Sequence, residues 1–331
     1  MQQPVPTDAL RIPADRLERF VADLYRAVPI PADHADLIAR LLVDTQMRGV
    51  YSHGVHQVER YLDYFENEHL NVHPQLRVTQ QSAVTTAIDG DWGLGMIAAD
   101  EAIRITIAKA REHGVAVTTT RQHGHIGSCG KYVRYALREG LGAFCLTGRC
   151  AMLEARYRPD RELWSTTQGA PGAAFGMPSP DGQPDFLLDM ACYLHNGRDE
   201  LLERWPDIVF RMFGLAHLAN IMSGTLAGQA DGFPDGQCEP YKVSFQSAFY
   251  MVIDPDRFGG REAYLDDMDR LLRGTARVKP FEGRDTAALA GGPEHDHEHV
   301  CRRDGVPVWG DAQESLQRMA ERYHIPAPWP S

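Results

Sequence analysis

The spacing of apolar residues predicts three helices in the first 75 residues. The first is predicted to begin after Pro13, and one of its faces carries apolar residues at i, i+3, i+4 and i+7: Leu17, Phe20, Val21 and Leu24. A second is predicted from Pro31 to Gly49, with leucines that face the core: Leu37, Leu41 and Leu42. A third, from His56 to Leu70, has an apolar side made of Val58, Tyr61, Leu62 and Phe65.

Beyond residue 76 the helical spacing gives way to short β-branched or apolar runs bounded by glycine, which predict strands. The runs are V-T-T-A-I-D (84–89), V-A-V-T-T-T (115–120), A-F-C-L-T-G (143–148), P-D-F-L-L-D-M-A (184–191) and S-A-F-Y-M-V-I-D-P (247–255). The fourth run reads as a buried strand. Helices are predicted at 93–114, 130–140 and 311–324, whereas 154–184 and 283–305 read as irregular.

The order of these elements predicts a mixed α/β or α+β fold with a helical N-terminal part. We expect that part to span residues 1–75 and to pack with a C-terminal helix at 306–331. A mixed-sheet domain for cofactor and substrate is expected at 76–255, followed by a C-terminal segment at 256–331.

Charge and cysteine content exclude several classes of function. The net charge of the 331-residue chain is -11 and no dense Lys/Arg block occurs, which disfavours nucleic acid and acidic membranes as partners. The six cysteines form no C-x-x-C pair. No apolar run approaches the ~18 residues of a membrane span. The N-terminus lacks the basic-then-apolar order of a signal peptide. A reduced, cytoplasmic protein is therefore expected.

Glycine motifs exclude some enzyme classes. G-L-G-M at 93–96 is half of a Rossmann dinucleotide fingerprint, without the third glycine. Neither G-x-x-x-x-G-K-[ST] nor G-x-S-x-G occurs, which excludes P-loop chemistry and weakens a serine hydrolase. The sequence therefore predicts no Rossmann domain of the usual kind.

Histidines are the main candidates for chemistry. His123 and His125 follow a predicted strand and precede a glycine-bounded helix, where α/β proteins often place ligands. A histidine there can act as acid and base near neutral pH, and the alternative is a hydrogen-bonded loop histidine. The tract E-H-D-H-E-H (294–299) offers imidazoles and carboxylates to a metal, but in a loop its spacing matches no ligand set. We expect a solvated loop that is structurally and catalytically dispensable, and no metal site.

Three motifs together resemble the malate/L-lactate dehydrogenase family of the non-Rossmann type: D-T-Q-M-R-G-V-Y-S-H-G, Q-H-G-H-I-G-S-C-G-K-Y and F-L-L-D-M-A. That family includes ureidoglycolate, sulfolactate and diketogulonate dehydrogenases and cyclic ketimine reductases. The resemblance runs from about residue 12 to the C-terminus and implies the family's own α/β fold. F-G-L-A-H-L-A-N-I-M-S-G-T-L-A-G looks like its long helix, and G-G-P-E…R-R-D-G-V-P-V like its closing segment.

The resemblance implies hydride exchange between NAD or NADP and a small 2-oxo or 2-imino acid. His125 matches the family's catalytic histidine, which exchanges a proton with the developing alkoxide or amine. Ser52 and His53 match its serine-histidine pair, and Asp189 matches its partnering carboxylate. A buried aspartate at this position can hold an imidazole in one tautomer and favour its charged form. The resemblance also implies a homodimer.

The chain departs from the family pattern at several expected ligand contacts. Gln57 stands where an arginine commonly binds the substrate carboxylate, and Arg60, one turn on, is the expected substitute. G-A-P-G replaces G-T-N-P, and Phe210-Arg211-Met212 replaces H-K-G. The segment from Asp189 to Arg211 is shorter than usual. The resemblance places cofactor contacts at Gly169, Ala170, Pro171, Gly172, Met190 and Arg211.

Three interpretations of these departures remain open. The first is an active dehydrogenase or reductase with a shifted substrate. The second is a relative that keeps the acid/base groups but performs non-redox proton transfer, as an isomerase or lyase, without a nicotinamide. The third is an inactive binding protein, which does not explain why Ser52, His53, His125 and Asp189 are all retained.

Overall fold

The structure is a computed structural model that describes residues 4–149, 159, 171–192, 199–229, 241–283 and 285–329. The chain divides into two compact units, Met1–Pro74 with Gly292–Ser331, and Gln75–Gly291. Among the described residues, no helix is both long enough and apolar enough to cross a membrane.

The first unit combines N-terminal and C-terminal helices with a short sheet. Its helices are α1 (Ala14–Arg26), α2 (Ala32–Met47), α3 (Val58–Glu66), α9 (Gly292–Asp304) and α10 (Gly310–Tyr323). Strands β1 (Leu10–Ile12) and β9 (Val306–Val308) pair antiparallel and tie the two chain ends together. The predicted apolar faces of α1 and α3 are buried. On α2 Leu41 and Leu42 are buried, whereas Ile38 takes the core position predicted for Leu37.

The second unit is built on a mixed sheet with the order β2-β3-β4-β8-β5-β6-β7. Its strands are β2 (Arg77–Gln81), β3 (Thr85–Asp89), β4 (Val115–His123), β5 (Gly142–Arg149), β6 (Gly172–Met177), β7 (Phe186–Ala191) and β8 (Gln246–Ile253). Strands β3 and β4 are parallel, and the other pairs among these strands are antiparallel. The prediction of a non-Rossmann, mixed α/β fold is confirmed.

Five helices of the second unit accompany this sheet in the described residues. They are α4 (Gly95–His113), α5 (Gly130–Leu137), α6 (Asp199–Arg204), α7 (Pro206–Asn220) and α8 (Arg261–Thr275). Helix α4 packs against β4 and β8, and α5 packs against β5 and β6. Helix α7 continues into a π-helical segment, Ile221–Thr225, and places Phe213, Ala216 and Ala219 on an apolar cluster over the sheet.

Besides Leu37, three local predictions are wrong. The E-H-D-H-E-H tract is part of α9 rather than a loop. Strand β7 is a sheet-edge strand in which only Leu187 is buried, because it has a neighbour on one side alone in the described sheet. The stretch 154–184, predicted to be irregular, contains β6 in its described part, where small residues pair with β5 and β7.

Candidate active site

In the first unit, the S-H-G stretch forms two short 3₁₀ turns between α2 and α3, Tyr51–His53 and Val55–Gln57. Gln46 of α2 is buried beneath them, and its side-chain oxygen accepts a hydrogen bond from the Val55 amide at 3.2 Å. A Cβ at Gly54 would overlap that same oxygen. The glycine of this motif is therefore required by the close approach of Gln46.

The predicted residues of this stretch are joined by consecutive hydrogen bonds. Ser52 Oγ lies 2.9 Å from His53 Nδ1, and Gln57 Nε2 donates to the Ser52 carbonyl at 2.6 Å. Arg60 donates to Gln57 Oε1 at 3.3 Å and, through Nε, to the Tyr64 hydroxyl at 2.6 Å. Ser52 and Arg60 are exposed and His53 is half-buried. The structure thus brings Ser52, His53, Gln57 and Arg60 together.

Tyr51 anchors the same turn from its other side. Its hydroxyl lies 2.6 Å from His297 Nε2, and His297 Nδ1 lies 2.8 Å from the Met47 carbonyl oxygen. Because a carbonyl can only accept, Nδ1 carries a hydrogen, and in the corresponding neutral tautomer Nε2 accepts the tyrosine hydrogen. Trp309 packs edge-on against the Tyr51 ring, with centroids 4.6 Å apart.

In the second unit, the histidine loop leaves β4 and enters α5. His123 is fully buried, with Nε2 2.8 Å from Thr120 Oγ1 and Nδ1 2.8 Å from the Gly124 carbonyl oxygen. Burial lowers the pKa of His123 to about 4. Its ring is therefore neutral near pH 7 and donates to the peptide that precedes His125. His125 itself is half-buried.

Asp189 lies at the start of α5. Its Oδ2 accepts a hydrogen bond from the Gly130 amide at 3.0 Å, and a Cβ on Gly130 would come within 2.6 Å of that oxygen. The register of β7, in which Asp189 pairs with Ala174 of β6, directs the carboxylate to this point. A helix N-terminus stabilises negative charge. Asp189 is thus held at the end of the loop that carries His125, but it is exposed on the edge strand β7 rather than buried as expected.

The expected cofactor contacts lie partly beside this loop. Gly169 and Ala170 lie outside the described residues. At Gly172 a Cβ would lie 3.0 Å from Cys129 Sγ, which places this glycine against the loop. Met190 packs on the apolar cluster that contains Phe213. Arg211 is exposed on α7, and within the described residues no hydrogen bond or ion pair joins it to the histidine loop.

A sequence profile for malate/L-lactate dehydrogenase matches residues 12–195 and 210–317, which is most of the chain. The chain belongs to the malate/L-lactate dehydrogenase family. The resemblance inferred from the three motifs is confirmed. Membership of this family supports the prediction that the protein is an enzyme of the oxidoreductase class.

Similarity to characterised members of the malate/L-lactate dehydrogenase family extends over nearly the full length. Malate dehydrogenase of Pyrococcus abyssi is 30% identical and covers 97% of each chain. L-Sulfolactate dehydrogenase of Methanocaldococcus jannaschii is 23% identical over 88% of this chain and 91% of its own. Ureidoglycolate dehydrogenase (NAD(+)) of Escherichia coli O157:H7 is 27% identical over 93% and 95%.

Solved structures of this family share the fold. Malate dehydrogenase from Pyrococcus horikoshii OT3 superposes with a TM-score of 0.81 at 24% identity, covering 98% of each chain. Δ1-Piperideine-2-carboxylate reductase from Pseudomonas syringae superposes with a TM-score of 0.70 at 18% identity, covering 94% of this chain and all of its own.

Lys131 lies beside the histidine loop and was not predicted from the sequence. Lys131 of α5 is 3% exposed, and its Nζ lies 5.6 Å from the centre of the Tyr132 ring. A Cβ at Gly127, where φ is +76°, would overlap that Nζ. The ammonium group therefore lies against the loop two residues beyond His125. The sequence feature that could have indicated this residue is a lysine that directly follows the small residues G-S-C-G, close to the histidine motif.

Proposed function

We propose that the protein transfers a hydride between NADH or NADPH and a small 2-oxo or 2-imino acid, with His125 as the acid/base. The observation that carries the proposal is the histidine loop. In it, His125 follows a peptide oriented by buried His123 and precedes a helix start that holds Asp189. The named relatives act on malate, sulfolactate and ureidoglycolate, which are 2-hydroxy acids.

His125 has the central role in this chemistry. When bound, the reduced nicotinamide supplies the hydride that reaches the carbon of the C=O or C=N group. His125 donates a proton to the oxygen or nitrogen as negative charge develops there, and it takes the proton back in the oxidative direction. As the family resemblance implies, Asp189 is proposed to partner the catalytic imidazole and to favour its charged form.

The S-H-G residues are proposed to assist catalysis and bind substrate. Ser52 and His53 form a hydrogen-bonded pair that can exchange protons. Arg60 carries a guanidinium suited to a substrate carboxylate, and Gln57 orients it through a hydrogen bond. The Arg60 side chain is exposed and is therefore accessible to a ligand.

The donor groups present fit a nicotinamide dinucleotide. Arg211 offers an exposed guanidinium to a phosphate. Gly172 lacks a side chain where a Cβ would lie 3.0 Å from both Cys129 and Thr147, so its backbone packs against the histidine loop. We propose that Gly169, Ala170, Pro171, Gly172, Met190 and Arg211 hold the cofactor. We also propose a homodimer, which a light-scattering mass near the 37.0 kDa of one chain would contradict.

A second candidate function is proton transfer without hydride, as in an isomerase or lyase. The specific observation in its favour is that the departures from the family pattern fall on expected cofactor contacts, at 169–172 and 210–212, and on the expected substrate contact Gln57, while His125 and Asp189 are retained.

Titration with reduced nicotinamides separates the two functions. The purified protein is titrated with NADH and with NADPH while nicotinamide fluorescence is followed. The redox function predicts saturable binding of at least one of them. No binding of either at millimolar concentration would reject it, and the retained His125 and Asp189 would then favour proton transfer over an inactive protein.

A further inference from the structure

Helix α9 carries two histidines one turn apart, on a surface that the proposed catalysis does not use. His295 and His299 are at i and i+4, so their side chains lie on the same face of the helix. Their Nε2 atoms are 2.9 Å apart and their ring centroids 4.4 Å apart. His295 is half-buried and His299 is exposed, which leaves the pair accessible from solvent.

This distance is suited to one transition-metal ion. An imidazole nitrogen binds such an ion at about 2.0–2.1 Å, and two nitrogens 2.9 Å apart then subtend about 90° at the ion. A tetrahedral ion would need the two nitrogens to be about 3.3 Å apart at the same bond length. An angle near 90° belongs to neighbouring positions of a square-planar or octahedral ion, the geometries of Cu²⁺ and Ni²⁺.

The third histidine of the tract is excluded from this pair by its own contacts. His297 donates to the Met47 carbonyl and accepts from Tyr51, so both of its ring nitrogens are occupied. Among the described residues no group of three or more histidine, cysteine or acidic side chains converges on one point. Water would therefore complete the coordination of the ion.

The charges around the pair are compatible with a cation. Asp296 and Glu298 are the acidic groups that act on His295, and Arg48 of α2 is the basic one. Arg48 is itself paired with Glu298 at 3.3 Å, which offsets its charge. Both rings can carry their hydrogen on Nδ1 and present a lone pair from Nε2, so binding releases no proton from neutral rings.

We propose that His295 and His299 form a two-histidine site for a divalent copper or nickel ion. The sequence analysis predicted no metal site here because it predicted a loop, in which residues i and i+4 do not share a face. In α9 the same residues acquire the spacing of a chelating pair.

Calorimetric titration of the full, untagged chain with NiCl₂ in a weakly coordinating buffer tests this site. The wild type is compared with His295→Asn and His299→Asn, and with His113→Asn, which removes an exposed histidine from the end of α4. Circular dichroism of each variant verifies that its helices are retained. Because the second imidazole binds intramolecularly, each single substitution should weaken Ni²⁺ binding about tenfold or more, and His113→Asn should not.

The copper complex gives an independent readout. The electron paramagnetic resonance spectrum of the 1:1 Cu²⁺ complex should show two coordinated nitrogens, reduced to one in either single variant. If a folded single variant binds Ni²⁺ as tightly as the wild type, or if the copper spectrum is unchanged by both substitutions, the proposal is wrong and the two rings are simply hydrogen-bonded to each other.

Discussion

His125 is the residue on which the proposed chemistry depends. His125→Asn keeps a polar side chain but cannot carry a proton at this position, so turnover should fall on the order of 100-fold or more. Cofactor affinity and circular dichroism should stay close to the wild type. His113→Asn is the matched histidine control. Near-normal turnover in His125→Asn would exclude it as the acid/base and make His53 the next candidate.

His123 is predicted to make stability depend on pH. In the unfolded chain it titrates near its ordinary pKa of about 6.5. In the fold burial lowers that pKa to about 4. Between these values the unfolded chain binds the proton and the folded chain does not, so the free energy of unfolding falls as the pH is lowered through this window.

Urea unfolding at neutral pH and near pH 5 measures this effect. His123 should account for a loss of roughly 2 kcal/mol between the two conditions. The loss should shrink by that amount in His123→Gln, whatever the stability of the variant at neutral pH. His113→Gln, at an exposed position, should keep the wild-type dependence. Equal pH dependence in wild type and His123→Gln would contradict the assignment.

Arg211 is predicted to contact the cofactor. Arg211→Ala should weaken NADH or NADPH binding by ~1–3 kcal/mol, the range for losing a charge-assisted hydrogen bond, and should affect turnover less at saturating cofactor. Arg270→Ala removes an exposed arginine from α8 and should change neither. Fluorescence titration measures the cofactor affinity of both variants. If Arg211→Ala binds the cofactor as tightly as Arg270→Ala, Arg211 belongs to the ordinary solvated surface.

At the scale of elements, Asp189 is predicted to stabilise the start of α5. Asp189→Ala removes the acceptor for the Gly130 amide and the negative charge at a helix N-terminus. The unfolding free energy should fall by ~0.5–2 kcal/mol, the usual cost of losing a helix cap. Asp181→Ala, in the exposed turn between β6 and β7, is the control and should be close to neutral. Unchanged stability in Asp189→Ala would show that this bond is dispensable.

Elements with strong periodicity could be predicted from the sequence, and weakly patterned ones could not. Helices α1 and α3 carry a continuous apolar face, and α4 ends at Gly114, whose φ of +87° suits glycine. In contrast, α9 presents mainly polar and charged side chains, and contacts with distant residues, such as His297 with Tyr51, are not visible in its local sequence. Strand β6 consists mostly of small residues, so its pairing partners decide its conformation.

The candidate site shows the same division. The S-H-G and H-G-H segments could be found because each is contiguous in the sequence. The burial of Lys131 and the tautomer of His123 depend on Gly127, Thr120 and Gly124 in three dimensions, and no local pattern reports them.

For the whole molecule, the fold class and family were predictable because several motifs occur in one order along the chain. The sheet order was not. Strand β8 lies between β4 and β5, although more than 90 residues separate it from either in sequence, and no local signal encodes such a pairing. The joining of both chain ends through β1 and β9 is likewise a long-range contact.

The central claim is that the protein moves a hydride between a nicotinamide and a small 2-oxo or 2-imino acid. The most direct test supplies NADH and NADPH deuterated at the transferable position of C4, together with a panel of 2-oxo acids and cyclic 2-imino acids, and analyses the products by mass spectrometry. The account predicts a product with one deuterium at the reduced carbon, formed by the wild type and strongly diminished in His125→Asn. Deuterium incorporated only from heavy water, with the nicotinamide left unoxidised, would contradict hydride transfer and establish proton transfer in its place.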